Sequence, residues 1–194
     1  MTTLTAPKID PVAEAIAIAD NWTEPEAEPA PAPGERVAKD ILIIDYSGDL
    51  EKLWATMILA STSAAMGVTT RVFITFWGLQ AFVKDSRRIT GENWMQKMLA
   101  LMQRPGVSHR KLSKMNFLGM GPWMMRQLAH RYHVASPKEL LEAAQAMGVE
   151  FIPCQMTMDM FGLKREDLIE GMGEPVGAAT YLSFVGDGAA PLFI

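Results

Sequence analysis

A single cysteine, Cys154, stands among 194 residues. One thiol excludes an intramolecular disulfide and any multi-cysteine zinc or iron–sulfur site built within one chain. It also fits a reducing compartment, so a cytoplasmic protein is expected. Basic charge is scarce too: 18 Lys and Arg stand against 22 Asp and Glu, a net charge of -4. With no long basic stripe carrying interleaved aromatics, nucleic acid is not an expected partner. No apolar window approaches the roughly 18 uninterrupted residues of a membrane span, and no basic segment followed by an apolar stretch opens the chain. A soluble protein is expected, with peripheral membrane contact the lesser alternative. Gly-x-x-x-x-Gly-Lys-Ser/Thr, Gly-x-Gly-x-x-Gly and Gly-x-Ser-x-Gly are all missing, which removes the commonest nucleotide and serine-hydrolase readings. His130 and His133 are one helical turn apart, but no third ligand is near, so neither a metal nor a cofactor is expected.

What is present is enough apolar sequence, 49% of the chain, for one well-cored domain with extra segments. Residues 1–38 differ from the rest. Six of the 12 prolines fall there, interleaved with Glu24, Glu26 and Glu28, and the stretch reads as a disordered tail in which Val12, Ile16 and Ala19 could line a short helix. From residue 39 to 194 the pattern is that of an α/β domain. Ile41 to Ile44 is the continuous apolar run of a strand buried on both faces. Leu50, Leu53, Trp54, Met57, Ile58 and Ser61 follow at helical spacing as far as Gly67, and Val72 to Phe76 supplies a second strand. Pro137 opens a further helix closed by Gly148, and the run into Cys154 is a third strand. A weak strand over Glu174 to Val176, a helix from Gly177 and a last strand over Pro191 to Ile194 complete the alternation. The expected fold is a three-layer α/β/α arrangement with a mainly parallel sheet of about five strands.

Residues 93–132 interrupt that alternation as an inserted helical hairpin rich in methionine. Burial against the same chain or a sister subunit is the expected fate of such a surface, with a partner groove or a membrane contact as alternatives. Arg104, His109, Arg110, Lys111 and Lys114 form a basic cluster between its two halves. The cluster reads first as a solvated loop and second as an attractor of an oxyanion or acidic partner.

In open α/β sheets the working groups collect at the carboxyl edge of the strands. Four loops fall there: Tyr46 to Asp49, Trp77-Gly78, Cys154 to Thr157 and Gly177-Ala178. Cys154 sits where a strand ends and a helix begins, and unpaired N–H groups and the helix dipole there favour thiolate over thiol. Three residues on, the hydroxyl and N–H of Thr157 fall within expected reach of the sulfur, so Cys-Gln-Met-Thr looks like a monothiol version of Cys-x-x-Cys. Cys154 is the candidate catalytic residue, and Met156, Thr157, Trp77, Gly78 and Gly177 are candidate substrate-binding residues. Asp159 reads as a structural capping residue at least as readily as a chemical one.

The string Cys154-Gln155-Met156-Thr157-Met158-Asp159, with Phe161 to Ile169 after it, resembles a stretch of the DsrE/DsrF-like family in its peroxiredoxin-like branch. Phe76-Trp77-Gly78-Leu79, the methionine-rich insertion and Gly177 to Leu182 resemble the same branch, over about residues 40–194. That resemblance implies a homo-oligomeric α/β subunit carrying sulfane sulfur as a persulfide in cytoplasmic sulfur oxidation or relay, with Cys154 at the sulfur-bearing position. It also implies partners similar to TusA-like carriers and rhodanese-type donors. Some members of the branch carry a further cysteine. This chain does not, so handover must go to another protein or a small thiol.

The residues suit that chemistry by themselves: a Cys154 thiolate can attack a sulfane sulfur, as in thiosulfate, and the leaving group departs as an anion. Two other readings stand beside a sulfur carrier or sulfurtransferase. One is a thiol peroxidase or redox sensor using Cys154. The other is a non-enzymatic assembly or membrane-adaptor protein working through the methionine-rich insertion, with Cys154 buried.

Overall fold

The apolar run that begins at Ile41 forms the centre of a parallel sheet. In a computed structural model, which describes residues 39–86, 91–102, 104–185 and 189–194, β1 spans Asp40–Asp45. It pairs in parallel with β2 (Thr69–Ile74) on one side and with β4 (Ala189–Phe193) on the other. β3 (Glu150–Pro153) adds to β2, giving the order β3-β2-β1-β4. The tail assigned to residues 1–38, with its short helix, lies outside the described residues.

Period-two alternation sorts these strands between two cores. Ile43, Val72, Ile74 and Phe151 point to one face, where α1 (Leu50–Ala65) contributes Leu53, Met57 and Ala60, and α5 (Pro137–Ala146) contributes Leu141 and Ala144. The indole of Trp54 on α1 donates to the carbonyl of Ala135 just before α5, at 2.9 Å. α5 starts with a capping box, in which Ser136 Oγ accepts from the Glu139 N–H and the Glu139 carboxylate accepts from the Ser136 N–H. Leu42, Phe73, Ile152 and Cys154 point to the other face, against Tyr181 of the five-residue α7 (Ala178–Leu182). The Tyr181 ring stacks on Phe73 at 4.6 Å, and its hydroxyl donates to the Ile43 carbonyl at 3.0 Å. Among the described residues this second layer is thin, and Tyr181 is the buried side chain that α7 contributes to it.

Among the described residues the sheet has four strands rather than about five. The segment expected as a strand over Glu174 to Val176 follows the outer edge of β3, but it touches the ladder only at single bridges, Met172 to Phe151 and Val176 to Cys154. Pro175 lies between them and has no N–H to give to a ladder, which is why the run does not close into a strand. The second strand ends sooner than its composition suggests. Phe76 takes a positive φ of 45° and begins a single turn, α2 (Phe76–Leu79). The inserted hairpin is present as α3 (Trp94–Met102) and α4 (Met120–Arg131). Its large apolar side chains, expected to be covered, are exposed in the single chain, Trp94, Met98, Leu101, Trp123 and Met124 among them. His133 lies beyond the end of α4, at φ 54°.

Replacing Tyr181 by Ala removes the fully buried ring that fastens α7. The expected cost is about 3–5 kcal/mol of stability in urea unfolding, whereas Tyr181→Phe should cost about 1 kcal/mol. A loss of under about 1 kcal/mol in the alanine variant would show that the thin layer is held by something else.

Candidate functional site

β3 delivers Cys154 to the carboxyl edge of the sheet. Its N–H donates to the Ile74 carbonyl at 2.9 Å, extending the β2–β3 register by one residue. It is then the N-cap of α6 (Gln155–Phe161), with φ −75° and ψ 117° and no side-chain capping bond. The position is the one expected, but the exposure is not: Cys154 is only 3% exposed, packed with Leu42, Phe73, Ile152 and Tyr181. The segment before α7 lies over it, since the Val176 N–H donates to the Pro153 carbonyl at 3.1 Å and the Gln155 N–H donates to the Val176 carbonyl at 3.0 Å. Burial keeps the thiol from reagents in this closed arrangement.

Thr157 departs from its expected role. Its side chain is fully buried, and its Oγ1 is 3.0 Å from Thr75 Oγ1 and accepts the Phe76 N–H at 3.1 Å. The hydroxyl is thus committed to the loop after β2, where it holds the strained Phe76 backbone in place. Met156 is 56% exposed on the outer side of α6. Asp159 accepts from the Gln155 side chain at 2.7 Å, one turn back on the exposed side of the same helix, which is a structural use. Gly177 is the N-cap of α7, and a Cβ there would meet open space, so the backbone beside the Cys154 cover is accessible at that point.

Trp77 and Gly78 belong to a different part of the edge. Trp77 is 41% exposed and stacks on Phe161 at 5.3 Å, at the far end of α6 and so roughly 10 Å along the helix axis from Cys154. Gly78 packs directly on β1, where a Cβ would come within 2.8 Å of the Asp45 carbonyl oxygen and 3.0 Å of Asp45 Oδ1. Its N–H already donates to the carbonyls of Tyr46 and Thr75. The structure therefore brings Cys154 and Gly177 together, while Trp77 stacks toward the far end of α6 and Gly78 packs on β1.

Sequence reasoning passed over Asp45, the last residue of β1. It is fully buried, Oδ1 accepts the Ser47 N–H at 3.2 Å, and Oδ2 has no hydrogen-bond partner. Burial outweighs that bond and the attraction of Lys52, and pushes the carboxyl up to about 7. An aspartate closing an apolar run was a usable signal, because a strand buried on both faces has nowhere to put the charge. Beside it lies a cavity of about 420 Å³ lined by Ser47, Gly48 and Asp49, by Trp77, by Leu101 and Met102 at the end of α3, and by Arg104 and the run from His109 to Ser113. Among the described residues no three His, Cys, Asp or Glu side chains are grouped to hold a metal, and no helix is long and apolar enough to cross a membrane.

The four-stranded parallel sheet with a cysteine at the strand-to-helix edge defines a small α/β thiol protein of the open-sheet class. The match to the DsrE/DsrF/DrsH-like family extends over residues 37–193, and the chain belongs to that family. It is 36% identical over 156 residues to the uncharacterized protein YrkE of Bacillus subtilis, spanning 80% of this chain and 97% of that one. It is 36% identical over 159 residues to the sulfur carrier protein DsrE2 of Allochromatium vinosum, spanning 80% of this chain and 98% of that one. Two solved structures are similar at low identity. A Methanobacterium thermoautotrophicum protein of unknown function, MTH1491, gives a TM-score of 0.46 at 12% identity, covering 80% of this chain and 98% of its own. The ychN protein of E. coli gives 0.44 at 14%, covering 80% of this chain and 99% of its own.

Two predictions follow from the edge geometry. Thr157→Val removes the acceptor of a partly buried N–H and should cost about 1–3 kcal/mol, while Thr157→Ser should restore most of it; equal losses in the two variants would assign the effect to packing instead. For Asp45, the folded chain keeps its proton above pH 3.8 while the unfolded chain loses it, so stability should fall as pH rises from about 4 to 7. The full shift corresponds to a loss on the order of 4 kcal/mol. Asp45→Asn should flatten that slope and stabilise the chain at pH 8, measured by denaturant titration across the range. An unchanged slope would mean that Asp45 is ionised in the fold.

Proposed function

We propose that this protein is a sulfur carrier that holds sulfane sulfur as a persulfide on Cys154 and passes it to an acceptor thiol. The observation that carries the reading is the chain's one thiol standing at the strand-to-helix edge, in a family where a relative 36% identical over nearly its whole length is named a sulfur carrier. The Cys154 thiolate attacks the outer sulfur of thiosulfate. The new S–S bond forms as the S–SO₃ bond breaks, and sulfite leaves with the electron pair. An acceptor thiolate then attacks the terminal sulfur, and Cys154 departs as thiolate. With no second cysteine in the chain, the acceptor is another molecule, either a TusA-like or rhodanese-like relay protein or a small thiol. The reading assigns the chain to the cytoplasm, where a lone thiol stays reduced, and to a homo-oligomer.

Both half-reactions need the sulfur uncovered, so the segment from Glu174 to Gly177 has to lift away from β3. Its two backbone bonds there and the Tyr181 anchor are what such an opening must break.

A second reading is favoured by specific observations. Cys154 is covered, while Trp94, Met98, Trp123 and Met124 of the hairpin are exposed, which is the pattern of an assembly or adaptor protein whose thiol is inert.

Incubation of the reduced native protein with thiosulfate or polysulfide, followed by intact-mass measurement, separates the two. A carrier gains one sulfur atom, loses it to added dithiothreitol and gains nothing as Cys154→Ser. No gain under native conditions, together with no labelling by a small maleimide, would reject the carrier in favour of the adaptor. Conversion by peroxide to a sulfenic acid without any sulfur uptake would instead support redox sensing.

A further inference from the structure

The cavity beside Asp45 is separate from the covered thiol and has its own chemistry. One wall is the turn after β1, Ser47-Gly48-Asp49, with Trp77 next to it. The other is the end of α3, Leu101 and Met102, with Arg104 and the run from His109 to Ser113 in the stretch that joins the two hairpin helices. The two walls are tied together: the Leu50 N–H donates to the Lys111 carbonyl at 2.8 Å, and the Glu51 carboxylate accepts from the Ser113 N–H at 3.1 Å. Close approach is possible only because residue 48 is glycine, since a Cβ there would fall 2.6 Å from the Trp77 carbonyl and 3.1 Å from Arg110 Nη1.

Arg110 is the decisive residue. It is only 5% exposed, yet it lines the cavity. Its Nη2 donates to the Arg104 carbonyl, and its Nε has no hydrogen-bond partner. A guanidinium taken out of water with an N–H left unpaired is costly unless an anion completes it. Asp49 and Asp85 lie close enough for their charge to favour the Arg110 guanidinium, but each carboxylate has a further partner and neither reaches Nε. Asp49 Oδ2 accepts from Ser47 Oγ at 2.8 Å and lies 3.3 Å from Lys52 Nζ, and Asp85 lies 3.5 Å from His109 Nδ1. Arg104 and Lys111 add positive charge to the same wall, and from Asn93 to Lys138 the sequence contains no Asp or Glu at all. At about 420 Å³ the space holds a small ligand with its waters.

We propose that this cavity is a binding site for a small doubly charged oxyanion of the sulfate and thiosulfate class, with Arg110 as the central donor and Lys111 supporting it. The geometry is that of fork-like guanidinium recognition of an oxyanion. Use of the site to hold a sulfur donor rests on the carrier reading above, whereas the binding itself does not need Cys154.

The test is calorimetric titration of the full chain with sodium sulfate and with sodium thiosulfate at constant ionic strength set by chloride. Saturable binding of one anion per chain is expected. It should weaken at least tenfold in Arg110→Gln and severalfold in Lys111→Gln, and be unchanged in Cys154→Ser. Lys111 is exposed, so its variant should fold even if the Arg110 variant does not. Quenching or shift of Trp77 fluorescence on sulfate addition, lost in Trp77→Phe, is the local readout. No saturable binding, or binding insensitive to both Arg110→Gln and Lys111→Gln, overturns the proposal. Saturable, Arg110-dependent binding without sulfur uptake on Cys154 leaves the anion site standing and removes the carrier reading.

Discussion

The carboxyl edge of the sheet is organised around one buried hydroxyl. Thr157 Oγ1 accepts the Phe76 N–H and pairs with Thr75 Oγ1, which locks the first turn of α6 to the residues where β2 ends. Phe76 sits at φ 45°, a conformation that a bulky residue holds only when its surroundings enforce it. With Phe76 turned that way, Gly78 can settle against the Asp45 backbone, and Trp77 can swing out to stack on Phe161. The Cys154 N–H on the Ile74 carbonyl is the backbone half of the same junction. The position of the thiol is thus a consequence of how β2 ends as much as of β3.

That junction divides the edge into two compartments of opposite character. Over β3 the surroundings are hydrocarbon: Cys154 lies among Leu42, Phe73, Ile152 and Tyr181. Over β1 they are polar and charged, with the Ser47 turn, the buried Asp45 carboxyl, and Arg110 brought in by the hairpin connection. The same inserted segment that leaves its methionines exposed on the outside supplies the basic wall of the cavity through its connecting loop, with Leu101 and Met102 at the end of α3 beside it.

Much of this was legible in the chain. Ile41 to Ile44 could only be a strand covered on both sides, the spacing from Leu50 to Ser61 is that of a helix with one buried face, and Ser136-Pro137 with Glu139 is a helix start at the level of local chemistry. The strand-to-helix placement of Cys154 followed from the same local rules. What the local rules could not supply was set by distant partners. Thr157 is near Cys154 in sequence, but its hydroxyl is taken by Thr75 and Phe76, more than eighty residues earlier. Burial of Cys154 comes from Tyr181 and the segment before it. The strand expected over Glu174 to Val176 fails for a local reason that stands in the chain itself, the missing N–H of Pro175. Asp45 was readable from its position alone, as a charged residue ending a run with no polar face.

A buried thiol is a poor starting point for a nucleophile but a sensible place to keep a persulfide. The terminal sulfur of a persulfide is open to reduction by any small thiol that reaches it. A carrier that left it exposed would lose its cargo between encounters. Covering it with the stretch around Val176, held by two backbone hydrogen bonds and one anchored tyrosine, makes access depend on a local opening well below the cost of unfolding. If Cys154 carries sulfur, control then lies with the partner: an acceptor that binds the open form better than the closed one draws the sulfur out, and a free thiol with no such preference does not. Among the described residues this face of the sheet carries one short helix where the opposite face carries two longer ones, which puts that weakness where transfer would need it.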